Sequence, residues 1–172
     1  MRRYVAILVV SAFVLKGSDA QIVNSKPLSR RITGYTMNVE LDPVAKTITG
    51  SMKAYWVNIS TDKVPDIQLH MYLNAFRSNK STFQKESGMS PGPGKESVGW
   101  VEIKSMKDQY GNDLTKSSSF ISPDDANPDD MTVLRVMLPK PVNPGDTVTL
   151  DISFKSKLPS QIRRTGYADD FF

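Results

Sequence analysis

Apolar residues recur at every second position through most of this chain, and that spacing most constrains what it can fold into. Side chains on an extended backbone alternate between two faces, so a period of two builds strands with one face turned to a core. Tyr35, Met37, Val39 and Leu41 alternate with Thr36, Asn38 and Glu40. A second strand is predicted from Thr47 to about Ile59. Ile48, Met52, Ala54 and Trp56 lie on one face and Tyr55, Val57 and Ile59 on the other, so its far half reads as buried on both sides. Gly50 inside it points to a bulge or a close backbone approach. Ile67, Leu69, Met71 and Leu73 make a third strand, with Gln68, His70 and Tyr72 opposite. Further strands are predicted over Val98 to Met106, Ser117 to Ile121, Thr132 to Leu138 and Val148 to Phe154.

The connections carry turn chemistry. Asp42-Pro43 combines a preset φ with a side chain that bonds back to the chain. Gln109 to Asp113 and Pro139 to Asp146 read as turns from their Gly, Pro, Asn and Asp content. Residues 77–97 form a long polar stretch containing Pro91-Gly92-Pro93-Gly94, and stretches this long are often functional. Phe76 and Phe83 are placed to dock a short helix from it onto the core. No convincing amphipathic helix appears elsewhere. The expected fold is all-β, an antiparallel sandwich or saddle-shaped sheet of about seven strands with one long loop.

The first twenty residues stand apart. Arg2 and Arg3 precede an apolar run from Tyr4 to Leu15 broken only by Ser11, and Ser18-x-Ala20 fits the small-x-small cleavage rule. Residues 1–20 read as a signal peptide cut after Ala20, with 21–172 as one exported domain, periplasmic or secreted. The run is too short for a membrane anchor, which needs roughly 20 apolar residues. The leader carries Arg2, Arg3 and Lys16 against Asp19, so the formal +4 of the whole chain falls to +2 without it. Lysines and arginines are scattered over that near-neutral domain, which gives no reason to expect nucleic acid as a partner.

Candidate chemistry is sparse. There is no cysteine, which excludes disulfides, thiolate zinc sites and a cysteine nucleophile. His70 is the one histidine. As a metal ligand or general base it lacks any second histidine, and on a polar sheet face it reads first as solvated or hydrogen-bonded. Asp124, Asp125, Asp129 and Asp130, with Asn127, supply oxygens of the kind calcium takes. Their spacing is not that of an EF-hand loop, and a solvated turn is the competing reading. Asn58-Ile59-Ser60 and Asn79-Lys80-Ser81 match a glycosylation pattern that is common by chance. No phosphate-binding glycine loop and no Gly-x-Ser-x-Gly elbow occurs. The residues alone describe an exported all-β module without an active site of its own.

Four segments in order carry a resemblance. Tyr35-x-Met37-x-Val39-x-Leu41-Asp42, with Thr49-Gly50 and Trp56-Val57-Asn58-Ile59-Ser60, resembles the opening hairpin of the aminopeptidase N family of zinc metallopeptidases. Leu69 to Phe76 is similar to that family's next strand. Pro144-Gly145-Asp146, alternating Val148 to Phe154, then Leu158-Pro159 is similar to a later strand. Thr165 to Phe172 resembles the segment that, in exported bacterial members, runs into a "QWFP" stretch. The likeness spans roughly Ile32 to Phe172 and implies the N-terminal β domain that precedes a thermolysin-like catalytic domain.

In that family zinc is held by H-E-x-x-H and a downstream glutamate, and a G-x-M-E-N stretch binds the substrate's amino terminus. Neither motif is present here. The expected catalytic, cofactor-binding and metal residues in this chain are therefore none. The resemblance implies that zinc and peptide substrate belong to a catalytic domain of the same polypeptide, and this chain is expected to be a fragment of it. The alternative is a stand-alone exported β-sandwich that binds a partner or a glycan through the 77–97 loop. A complete small hydrolase is the weakest reading, given one histidine and no nucleophile motif. Phe171 and Phe172, adjacent at the C-terminus, are expected to continue a strand or dock on another domain, because neighbours on a strand face opposite ways.

Overall fold

The structure is a computed structural model that describes residues 29–88, 98–160 and 165–172. The predicted signal peptide lies outside the described residues. So does the Pro91 to Gly94 part of the long stretch. The compact body spans Arg31–Phe172.

Seven strands are found among the described residues, in two antiparallel sheets. They are β1 (Thr33–Asp42), β2 (Thr47–Val57), β3 (Val64–His70), β4 (Trp100–Asp108), β5 (Ser118–Ile121), β6 (Val133–Val142) and β7 (Thr147–Lys157). One sheet has the order β1-β2-β7-β4 and the other β3-β6-β5. The core lies between their facing sides: Met106, Val148, Leu150 and Ile152 come from the first, Leu134 and Val136 from the second. Leu114, fully buried, joins them from the connection between β4 and β5. The all-β antiparallel expectation holds, with sandwich-like packing.

Local chemistry fixes the first hairpin. Asp42 Oδ1 accepts the N–H groups of Val44 and Ala45 at 3.0 and 2.8 Å, so the chain reverses over Pro43 to Lys46. β1 and β2 then pair without a break from Thr33↔Trp56 to Asp42↔Thr47. Gly50 marks a close approach and not a bulge. It pairs regularly with Val39 and Phe154, and a Cβ there would sit 2.8 Å from the Phe154 ring and 2.9 Å from the Asn38 carbonyl.

Four expectations need correction. The third strand ends at His70; Tyr72–Phe76 is a turn of 3-10 helix. Asn74 imposes this turn, since its buried side chain donates to Met131 O at 2.8 Å and accepts the Val101 N–H at 3.0 Å. Second, the segment from Pro139 belongs to β6 as far as Val142, and only Asn143 to Asp146 turns. Proline lacks the ladder N–H. Pro139 and Pro141 are accommodated where the register jumps, with Val64 opposite Val142 but Asp66 opposite Met137. Third, the long loop does not run through all of 77–97: the short helix expected there is α1 (Thr82–Ser87), whose N-cap Ser81 accepts the Gln84 N–H, whose C-cap Gly88 has φ of 63°, and which Phe83 docks on Phe76. Fourth, β2 stops at Val57. Ile59, beyond the strand, and Tyr55 are exposed, so burial of the second face is limited to the strand's ends, Thr47 and Val57.

Candidate functional site

A concavity opens between the two sheets where β1 and β3 flank the sandwich. Ala54 and Val148 and Leu150 form its floor, and Trp56, Ile67 and Leu69 its walls. Asp66, Gln68 and Thr33 supply polar groups at the mouth, and the cavity measures about 350 Å³. It exists because the four-stranded sheet is broader than the three-stranded one, so β3 leaves part of the inner face of β1 and β2 uncovered. An apolar trough with a few polar groups at its rim is the usual form of a binding site. Its lining holds one carboxylate and no histidine, lysine or arginine, so it is equipped to bind an apolar group and not for acid–base chemistry.

The sequence-predicted candidates lie elsewhere. His70 ends β3, exposed, with its ring edge-on to Tyr72 at 5.9 Å. The acidic loop is occupied with its own donors. Asp125 Oδ2 accepts the Thr82 hydroxyl at 2.6 Å, and its Oδ1 accepts the Asn127 N–H at 3.0 Å. Asn127 Nδ2 donates to Lys80 O, while its Oδ1 accepts from Lys85 Nζ at 3.2 Å. Asp130 Oδ2 takes the Thr132 hydroxyl, and its Oδ1 is buried without a hydrogen bond. This loop latches α1 to the body. Among the described residues no group of three or more His, Cys, Asp or Glu side chains is placed to hold a metal ion.

Asn58 is fully buried, and its amide nitrogen donates to Asp62 O at 2.7 Å and Val142 O at 2.9 Å. A glycan on that nitrogen is incompatible with the folded chain, whereas Asn79 is exposed in a turn. The C-terminus does not continue as a strand. Ala168 and Phe171 bridge each other across a tight turn, and Lys46 Nζ donates to Asp169 O and lies 4.8 Å from the Phe172 ring centroid. That cation–π contact covers part of Phe172, while Phe171 is 81% exposed.

Three carboxylates are held below their ordinary range. For Asp108, burial pushes upward, but hydrogen bonds from the Asn112 side chain and from the backbone of Asn112, Tyr110 and Gly111 outweigh it. Asp113 and Asp125 are lowered by hydrogen bonds from Thr115 and Thr82 respectively. A depressed folded-state pKa stabilises the fold fully above the unfolded value of 3.8, and this is lost as pH falls through the lower folded value. The urea midpoint is therefore expected to hold steady near neutrality and drop below about pH 4, and Asp108→Asn should flatten that drop. A variant whose acid profile matches the parent's would show that Asp108 does not contribute to it.

No protein-family model matches the chain, and no curated protein sequence matches it. Among the described residues no helix is long and apolar enough to cross a membrane.

Proposed function

We propose that this chain is a non-catalytic N-terminal β domain of an exported, aminopeptidase N-like zinc metallopeptidase. Its role there is to support a catalytic domain of the same polypeptide and to wall one side of the peptide cleft. The observation that carries this reading is the neighbourhood of the resembling segments. Two of the four, the hairpin from Tyr35 to Ser60 and Pro144 to Pro159, supply β1, β2 and β7, which are consecutive strands of one sheet. A third, Leu69 to Phe76, supplies the end of β3 and the 3-10 turn hydrogen-bonded to β4 through Asn74. The fourth, Thr165 to Phe172, is tied to the others by Tyr167 N–H donating to Pro159 O and by Lys46 Nζ donating to Asp169 O. Segments matched in order thus form one connected unit, as a shared domain requires.

Among the described residues no group of three or more His, Cys, Asp or Glu is placed to hold a metal ion, and His70 is exposed, so on this reading the zinc chemistry is assigned to the catalytic domain. A second reading, a stand-alone exported binding module, is favoured by the apolar trough between the sheets. Two measurements separate them. Reading the coding sequence past Phe172 is expected to give H-E-x-x-H. The chain alone is expected to hold no stoichiometric zinc and to leave an aminoacyl-anilide uncleaved, because a zinc site takes about three to four protein ligands. Chelator-sensitive turnover should appear once the downstream region is included. Turnover by the chain alone, or downstream sequence without the motif, sinks the metallopeptidase reading.

A further inference from the structure

Sheet edges are hazards that proteins blunt with bulges, prolines, lysines or short strands. Three of the four edges here are blunted in those ways. β4 is interrupted between Ile103 and Ser105 and carries Lys104 and Lys107. β3 is broken between Val64 and Asp66 and contains Pro65, and β5 is four residues long. β1 has none of these devices. It runs ten residues in unbroken register with β2, without proline or lysine, and among the described residues nothing pairs with its outer side. Its core-side row is apolar and uncovered: Tyr35 is 62% exposed, Met37 57%, Val39 61% and Leu41 41%.

The charges of this edge are arranged end to end. Arg31 precedes the strand, and Glu40 and Asp42 close it. An antiparallel copy of the same strand therefore meets opposite charge at both ends. With the two-fold axis at Thr36, Tyr35 lies opposite Met37 of the other copy and Thr33 opposite its Val39. Arg31, which precedes the strand, then arrives opposite the other copy's Leu41, one residue along the chain from both Glu40 and Asp42. Residues directly opposite on an antiparallel pair share a face, so the two apolar rows join.

We propose that a second copy of this chain docks along β1, making a two-fold antiparallel β1–β1 pair and one continuous eight-stranded sheet. Such an interface is isologous, as closed dimers require. The added strand extends the inner face beyond Tyr35 and shelters the mouth of the trough that Tyr35 lines. The proposal stands on the edge itself and does not depend on the metallopeptidase reading.

Sedimentation and light scattering of the purified chain over a concentration series test it. The chain is expected to dimerise. Val39→Lys should raise the dissociation constant by about 100-fold, and Glu40→Arg by about tenfold, with Arg31→Glu added to Glu40→Arg restoring it. Both positions are exposed in the monomer, so thermal melts of the variants should match the parent's. The chain has no cysteine, so Thr36→Cys reports register cleanly by forming an intermolecular disulfide on mild oxidation. A monomer at every concentration overturns the proposal, including one whose β1 edge is found covered by another domain or a bound peptide. So does a dimer that neither charge change weakens.

Discussion

Replacing Asn58 by alanine is expected to cost this domain about 3 kcal/mol, a loss of roughly 6–12 °C in Tm for a body of this size. Asn58 is fully buried, and its side chain works as a four-way staple. The amide nitrogen serves the carbonyls of Asp62 and Val142, and the amide oxygen accepts the N–H and hydroxyl of Ser60 at 3.0 and 2.7 Å. Its backbone adds two more ties, to Asp146 O and from Gly145 N, at the turn between β6 and β7. Alanine keeps the backbone ties but takes the amide donor away from the Val142 and Asp62 carbonyls and the acceptor away from Ser60, and an unmet buried group costs about 1–3 kcal/mol. Asn58→Asp discriminates the cause. It preserves volume and the acceptor for Ser60, yet sets a carboxylate oxygen against two carbonyls. It should destabilise at least as much as alanine at neutral pH. Urea midpoints for the two variants decide the matter; an aspartate that melts with the parent would mean that the donor side of the amide is unimportant.

The first hairpin and the turn that joins β6 to β7, which lie in different sheets, were legible in sequence because their signals are local. Asp42-Pro43 turns where expected, and Gly145, with φ of 83°, sits in the turn its neighbours announce. What escaped depends on distant partners. Met71 and Leu73 prolong the alternation of β3 by coincidence of spacing. The residue that ends the strand, Asn74, does so through Met131 and Val101, far away in sequence. Pro139 and Pro141 signal a turn by local rule, but the jump in register opposite Val64 and Asp66 takes them into β6. The apolar row of β1 matches the pattern of a half-buried strand, yet it lies exposed because the opposing sheet is one strand narrower. The trough is hidden for the same reason, since its walls belong to strands whose facing is set by sheet order. Asn58 appeared only as a glycosylation match, and nothing in Asn-Ile-Ser distinguishes a buried staple from a surface acceptor.

Phe76→Ala is expected to be the most damaging single truncation, at about 3–5 kcal/mol, the range for deleting a fully buried aromatic ring. Phe76 is 1% exposed and packs edge-on between Tyr72, at 5.8 Å, and Phe83, at 5.3 Å. Phe83 is the contact anticipated from sequence, and through it α1 is held to the body. Phe76 lies outside the inter-sheet cluster of Met106, Leu150 and Val136, so its loss should be felt first around α1. The backbone beneath the ring is tied to the start of β4, because Gly99 N–H bonds to the Phe76 carbonyl and Val101 N–H to Asn74 Oδ1. Amide exchange distinguishes a local from a global effect. In the variant, Lys85 N–H, bonded to Ser81 O, should lose protection, while the β2–β7 ladder keeps most of its own. Phe83→Ala, at a ring 36% exposed, should cost only about 1 kcal/mol, because a ring already wet surrenders little apolar area. Equal losses at the two positions would mean that α1, and not the buried ring beneath it, carries the stability of this corner.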